Sequence, residues 1–142
     1  MQKMTDQAKA YEASGDVEGR VVFATNGDYF NMTNGQPLGS CIMEGNADLN
    51  PNNSEPYFAV LKDGTCVVRE AGTPTDDVME AIAGPFFLLK DGVNLWPKEF
   101  NDLMPRNSVG VKADGSVVFL EVDGRQETSV GMTLCELAEL LK

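Results

Sequence analysis

Residues 56–70 read PYFAVLKDGTCVVRE, and the parsing of this stretch decides the fold. Two apolar, β-prone runs flank Asp63-Gly64, and an Asp-Gly pair in that setting is the strongest short-range hairpin signal. The expectation is two antiparallel strands about a two-residue turn. Working outward, GPFFLLK-DG-V at 84–93 repeats the pattern with a fragmentary second arm. NSVGVKA-DG-SVVFLEV-DG-RQETS at 107–129 predicts a meander of three strands. Asp63, Asp91 and Asp114 are read as turn residues. Asp123 is either a fourth turn or, with Arg125, a carboxylate and guanidinium placed at a cleft. The four pairs follow no fixed period, so they imply no repeat.

Helices are expected at both ends. Residues 3–14, KMTDQAKAYEAS, are good helix formers that stop at Gly15. Near the other end, Thr133 and Glu136 form a capping box, and Leu134, Leu137, Ala138 and Leu141 fall on one helical face. Between them, RVVFAT (20–25) reads as a buried strand, LGSCIME (38–44) as another strand and GNADLNPNNSE (45–55) as a polar loop. AGTPTDDVMEAIA (71–83) fits either a short helix or a strand. The fold class is therefore α+β: a mostly antiparallel mixed sheet with an N-terminal and a C-terminal helix packed on it. The 142 residues suffice for one domain and are too few for two.

Composition narrows the chemistry. With 22 acidic and 11 basic residues the net charge is −11, which argues against nucleic-acid and membrane-surface partners. No run approaches the roughly 20 apolar residues that span a bilayer. The opening residues MQKMTDQAKAYEAS are polar, unlike a secretory signal peptide. Cys41, Cys66 and Cys135 are far apart and form no CxxC pair, so they read as small core residues rather than disulfide partners or zinc ligands. Histidine is absent, which excludes Ser-His-Asp and Cys-His catalysis and His-ligated metals. Proton transfer falls to Asp, Glu, Tyr, Lys or water, and no metal or cofactor is called for.

Three places concentrate polar groups beside turn glycines. Asn26-Gly27-Asp28 follows the apolar run 20–25 and precedes Tyr29 and Phe30. It is either a turn held by Asx hydrogen bonds or a strand end where backbone and side chains approach a ligand. The aromatics would floor a sugar or anchor the loop. Arg106 follows Pro105 at the mouth of a strand, where its fork of donors suits phosphate or carboxylate; a surface ion pair is the plainer alternative. Asp123-Gly124-Arg125 is the third place. Asp48, Asn50 and Asn52 imitate a calcium loop, but Pro51 interrupts it and Ala59 occupies the twelfth position.

Three stretches together resemble the phosphodiester glycosidase family: VVFATNGDYFNMTNGQPLG (21–39), AIAGPFFLLKDG (81–92) and PRNSVGVKADGSVVFLEVDGRQETSVGMTLCELAELL (105–141). The resemblance covers nearly the whole chain. It implies hydrolysis of a sugar linked through a phosphodiester, of the N-acetylglucosamine-1-phosphodiester kind. Asn26, Gly27 and Asp28 match a pocket-lining motif, with Phe30 beside it. Arg106 matches the arginine expected to face phosphate, and Asp123 and Arg125 match an Asp-Gly-Arg motif. On this basis Asp28 and Asp123 are the candidate acid and base, and Asn26, Gly27, Phe30, Arg106 and Arg125 the candidate substrate-binding residues. Family members continue past the last helix into a Leu-Asp-Gly-Gly-Gly-Ser loop and carry strands before the first. The domain at 1–142 is thus expected to be incomplete at both ends. The implied partner is a small phospho-sugar or nucleotide-like ligand, and unfinished sheet edges favour self-association. The implied location is extracellular or cell-envelope, and cytoplasmic for a natural full-length chain. The alternative function is a pocket that holds a sugar phosphate or nucleotide without turnover.

Overall fold

The 56–70 stretch forms the expected hairpin in the computed structural model, which describes residues 3–15, 19–25, 27, 29–51 and 54–142. Strands β2 (Tyr57–Leu61) and β3 (Cys66–Arg69) are antiparallel, with Tyr57 opposite Arg69 and Val60 opposite Cys66. The turn is one residue longer than expected. Leu61 N–H donates to Thr65 O at 2.8 Å, Gly64 N–H donates to Leu61 O at 2.9 Å, and Gly64 has φ +85°. A two-residue turn of the I′ type needs positive φ at both central positions. Asp63 instead accepts the Thr65 N–H at 2.8 Å, leaving only the glycine left-handed. Asp114-Gly115 repeats this loop, with Ser116 N–H on Asp114 Oδ1 at 2.9 Å. Asp91-Gly92, with φ +50° and +74°, forms the tight two-residue turn between β5 (Leu89–Lys90) and β6 (Val93–Asn94).

Residues 71–83 resolve into a turn followed by β4 (Val78–Ala83), which pairs with β2 on one side and with the short β1 (Cys41–Ile42) on the other. The four-stranded order is β1-β4-β2-β3. Alternation along these strands sends Tyr57, Ala59, Val78, Ala81, Ala83 and Ile42 into the core, flanked by Leu61 and Val67. Tyr57 meets the polar cost of burial by donating its hydroxyl to Thr73 O at 3.1 Å. The third sheet is the hairpin of β7 (Arg106–Val111) and β8 (Val117–Val122). The expected third strand of that meander does not form, because the chain beyond Asp123 folds back on Met104 instead.

The α+β class stands, with the described strand pairs all antiparallel and divided among three sheets rather than joined in one mixed sheet. The C-terminal helix α2 (Leu134–Leu140) carries the capping box in full and buries Leu134, Cys135, Leu137 and Ala138. Burying Leu137 contributes about 1.5–3 kcal/mol. Asn94 ties it to β6 by donating to Cys135 O and to Glu139 Oε1. The N-terminal helix α1 (Met4–Ser14) ends at a left-handed Gly15 and buries no residue, so it flanks the fold rather than packing into it. The run 20–25, expected to be a buried strand, joins no sheet, and Val22 is 82% exposed. Its β-branched sequence favours extension, but among the described residues no strand edge meets its backbone. The three cysteines form no disulfide, with Cys135 buried and Cys41 and Cys66 half-buried, and no helix among the described residues is long and apolar enough to cross a membrane.

Candidate active site

The residues singled out in the sequence collect at two places. One is the corner where β7 begins. Arg106 pairs with Val122, so Asp123 leaves the hairpin beside it. The chain then doubles back: Asp123 O accepts the Ser129 hydroxyl at 2.7 Å, and Met132 N–H donates to Met104 O at 3.0 Å. Two glycines make this approach possible. A Cβ at Gly124 would lie 2.5 Å from Pro105 N, and one at Gly131, where φ is +100°, would lie 2.5 Å from the Met104 carbonyl.

Both guanidinium groups flank this junction. Arg106 donates through Nε to Met132 O at 3.3 Å and through Nη2 to Asp102 O at 3.1 Å. Arg125, itself left-handed at φ +59°, places Nη2 3.0 Å from Met104 Sδ. Neither forms an ion pair among the described residues. Other cations do: Arg69 grips both carboxylate oxygens of Asp77 at 2.8 and 2.6 Å, Lys90 pairs with Glu70, and Lys142 meets Glu139 at 2.9 Å. The Arg69 hydrogen bonds hold the Asp77 carboxyl below its ordinary range. Eight of the eleven cations form no ion pair among the described residues, and Arg106 and Arg125 are two of these brought to one corner, a local source of positive charge in a chain of net charge −11. The side chain of Asp123 beside them is exposed.

The second place is a shallow concavity of about 360 Å³ lined by Gly27, Tyr29, Phe30, Cys41, Leu49 and Ile82. Its floor is a cross-strand row on the outer face of the four-stranded sheet, with Cys41, Ile82, Phe58 and Val68 in register. Aromatic rings extend it sideways: Phe58 meets Phe119 edge-on at 6.2 Å, and Phe119 meets Phe23 at 5.0 Å. Gly27 lies flat on this floor, since a Cβ there would stand 2.2 Å from Ile82 Cδ1. Phe30 bridges to Pro37 and remains 49% exposed. Asn26 and Asp28 lie outside the described residues.

Among the described residues, a hydrogen bond links the strand of Arg106 to the residue two before Gly27: Asn107 Nδ2 donates to Thr25 Oγ1 at 2.9 Å. Successive strand residues point to opposite faces, so Asn107 reaches the side of Phe119 and Phe23, while Arg106 points away towards Met132. The structure thus gathers Arg106, Asp123 and Arg125 at the corner, and places Gly27 and Phe30 in a concavity that Arg106 does not line. Sequence reading missed Thr25, Met104, Asn107 and Met132. Their roles come from backbone pairing and side-chain bonds between distant segments, which no local pattern records. No group of three or more metal-ligating side chains occurs among the described residues.

These motifs stand in this order on an α+β frame. The family model for phosphodiester glycosidases matches residues 19–142, and the chain belongs to that family. A curated relative, the mouse N-acetylglucosamine-1-phosphodiester alpha-N-acetylglucosaminidase, is 24% identical over 84% of this chain and 27% of its own length. A solved structure, the zebrafish N-acetylglucosamine-1-phosphodiester alpha-N-acetylglucosaminidase catalytic domain auto-inhibited by its pro-peptide, superposes with a TM-score of 0.67 at 26% identity. That match covers 82% of this chain and 45% of the zebrafish chain. The chain therefore spans just over a quarter of the mouse protein and under half of the zebrafish chain.

Proposed function

We propose that this domain binds a sugar linked through a phosphodiester, of the N-acetylglucosamine-1-phosphodiester type, and takes part in its hydrolysis. The observation that carries the reading is the pair of arginines, Arg106 and Arg125, that form no ion pair among the described residues. Carbonyl acceptors hold Arg106 in place without neutralising it, which leaves its charge for an anion. A phosphodiester carries one negative charge, and a guanidinium supplies parallel donors to its two free oxygens. The apolar floor at Ile82 and Phe30 suits the carbon face of a sugar ring.

Hydrolysis needs one group to take a proton from water and another to give one to the departing oxygen. With no histidine in the chain, Asp123 and Asp28 are the carboxylates proposed to divide these roles. Arg106→Ala should weaken binding of a methyl phosphodiester of N-acetylglucosamine by about 10- to 100-fold, the worth of a charged hydrogen-bond pair. Isothermal calorimetry measures this, and an unchanged affinity would remove Arg106 from the site. Release of free N-acetylglucosamine by the wild type but not by Asp123→Asn tests the catalytic half.

A further inference from the structure

We propose that Asn107 is a positioning residue that sets where Gly27, Tyr29 and Phe30 stand relative to Arg106. The proposal rests on the phosphodiester reading above and extends it to how the two halves of the site are held in register. The Asn107 Nδ2 to Thr25 Oγ1 bond spans 82 positions in sequence and ends two residues before Gly27. On the other side of Gly27, the chain closes on itself through Leu38 N–H to Tyr29 O at 2.9 Å and Asn31 N–H to Gln36 O at 2.8 Å. That small loop is moored to the β1 side, where Asn50 Nδ2 donates to Leu38 O at 2.6 Å.

Thr25 and Phe30 therefore stand against two separate sheets. The Phe30 end follows β1 and β4, and the Thr25 end follows β7. The described anchors of the Thr25 end are few. Val21 N–H reaches Glu12 Oε1 at 2.6 Å, but α1 buries no residue of its own. Phe23 rests on Phe119, a contact that permits sliding because it has no directional bond. Thr25 on Asn107 is a directional bond to β7 itself, and Asn107 is the residue next to Arg106 in the same strand. Moving Asn107 moves the phosphate-facing arginine with it, so this bond converts the position of β7 into the position of the concavity wall.

The test uses the whole chain and 15N relaxation together with calorimetry. Asn107→Ala and Thr25→Val should each lower the backbone order parameters of Gly27, Tyr29 and Phe30 from about 0.85 towards 0.6 or below. Each should weaken the methyl phosphodiester probe by about two- to tenfold, the worth of one hydrogen bond. The double variant should be no worse than Asn107→Ala alone, because both single changes remove the same bond. A purely structural loss would instead lower order parameters throughout β7 and β8. Unchanged order at Gly27, Tyr29 and Phe30 in both single variants, or additive losses in the double variant, would overturn the proposal. Arg106→Ala should lose the probe while leaving those order parameters at wild-type values. If it keeps the probe, the phosphodiester reading fails on its own, and the relaxation measurements still decide the role of Asn107.

Discussion

The corner at Met104 to Arg106 and the segment 21–30 carry the two halves of the candidate site, and they are built in opposite ways. The corner is fixed by backbone against backbone: Met104 pairs with Met132, and two glycines allow an approach that no Cβ permits. The described residues of the segment are held by side chains, through Phe23 on Phe119 and Thr25 on Asn107, with Val22 82% and Phe23 43% exposed. Backbone packing resists small displacements, whereas side-chain anchors hold a position with about one hydrogen bond's strength each. Under the proposed function, the arginine that faces the phosphate sits on the first kind of support and the wall beside the sugar on the second.

This contrast can be broken from the corner first. Gly131→Ala should lower stability by about 3 kcal/mol, since it combines a left-handed backbone with a methyl pressed into the Met104 carbonyl. Urea unfolding measures it, and a loss below about 1 kcal/mol would mean that the corner yields easily. Phe119→Ala should cost less, about 1–2 kcal/mol, because the ring is half exposed. It should nevertheless free the segment, seen as new proteolytic cleavage near Phe23 in limited digestion. Thr133→Ala removes the hydroxyl that accepts Glu136 N–H at 3.2 Å and should cost about 1 kcal/mol. Because Met132 precedes that cap and offers its carbonyl to Arg106, the same variant should weaken phosphate binding. A thermal melt and the calorimetric titration read the two effects separately.

The smallest effect is one of pH. Hydrogen bonds from Thr133, its backbone N–H first, hold the Glu136 carboxyl below its ordinary value of 4.5. A depressed carboxylate stabilises the folded state above that ordinary value, and the contribution disappears as pH falls through the folded value. Asp63 and Asp114, lowered chiefly by the backbone N–H groups of Thr65 and Ser116, act in the same direction. Stability should therefore fall on acidification below about pH 4.5, and Glu136→Gln should make that fall shallower in urea midpoints taken across the range.

Much of the frame was legible because its signals are local. The capping box at Thr133 and Glu136 and the apolar spacing behind it mark α2, and Asp-Gly pairs mark three hairpins. The loop lengths at Asp63 and Asp114 were not legible, because an aspartate carboxylate can bond the backbone two residues on and remove the need for a second positive φ. RVVFAT has the composition of a strand, yet a strand also needs a neighbour, and composition does not report one. Arg106 stands out by its type and place, which is why an anion-binding role is proposed for it. That its donors rest on Met132 and Asp102, and that Asn107 reaches Thr25, depends on register between segments far apart in the chain.

The Thr25–Asn107 bond also has a consequence in time. Its partners are 82 residues apart, so at about 5–20 residues per second a ribosome makes Thr25 roughly 4–16 s before Asn107 exists. Phe119, the other support, arrives later still. Throughout that interval Thr25 lacks its partner and Phe23 lacks the ring it packs on, so the contacts that hold this stretch to β7 and β8 form only once the second half of the chain has been made.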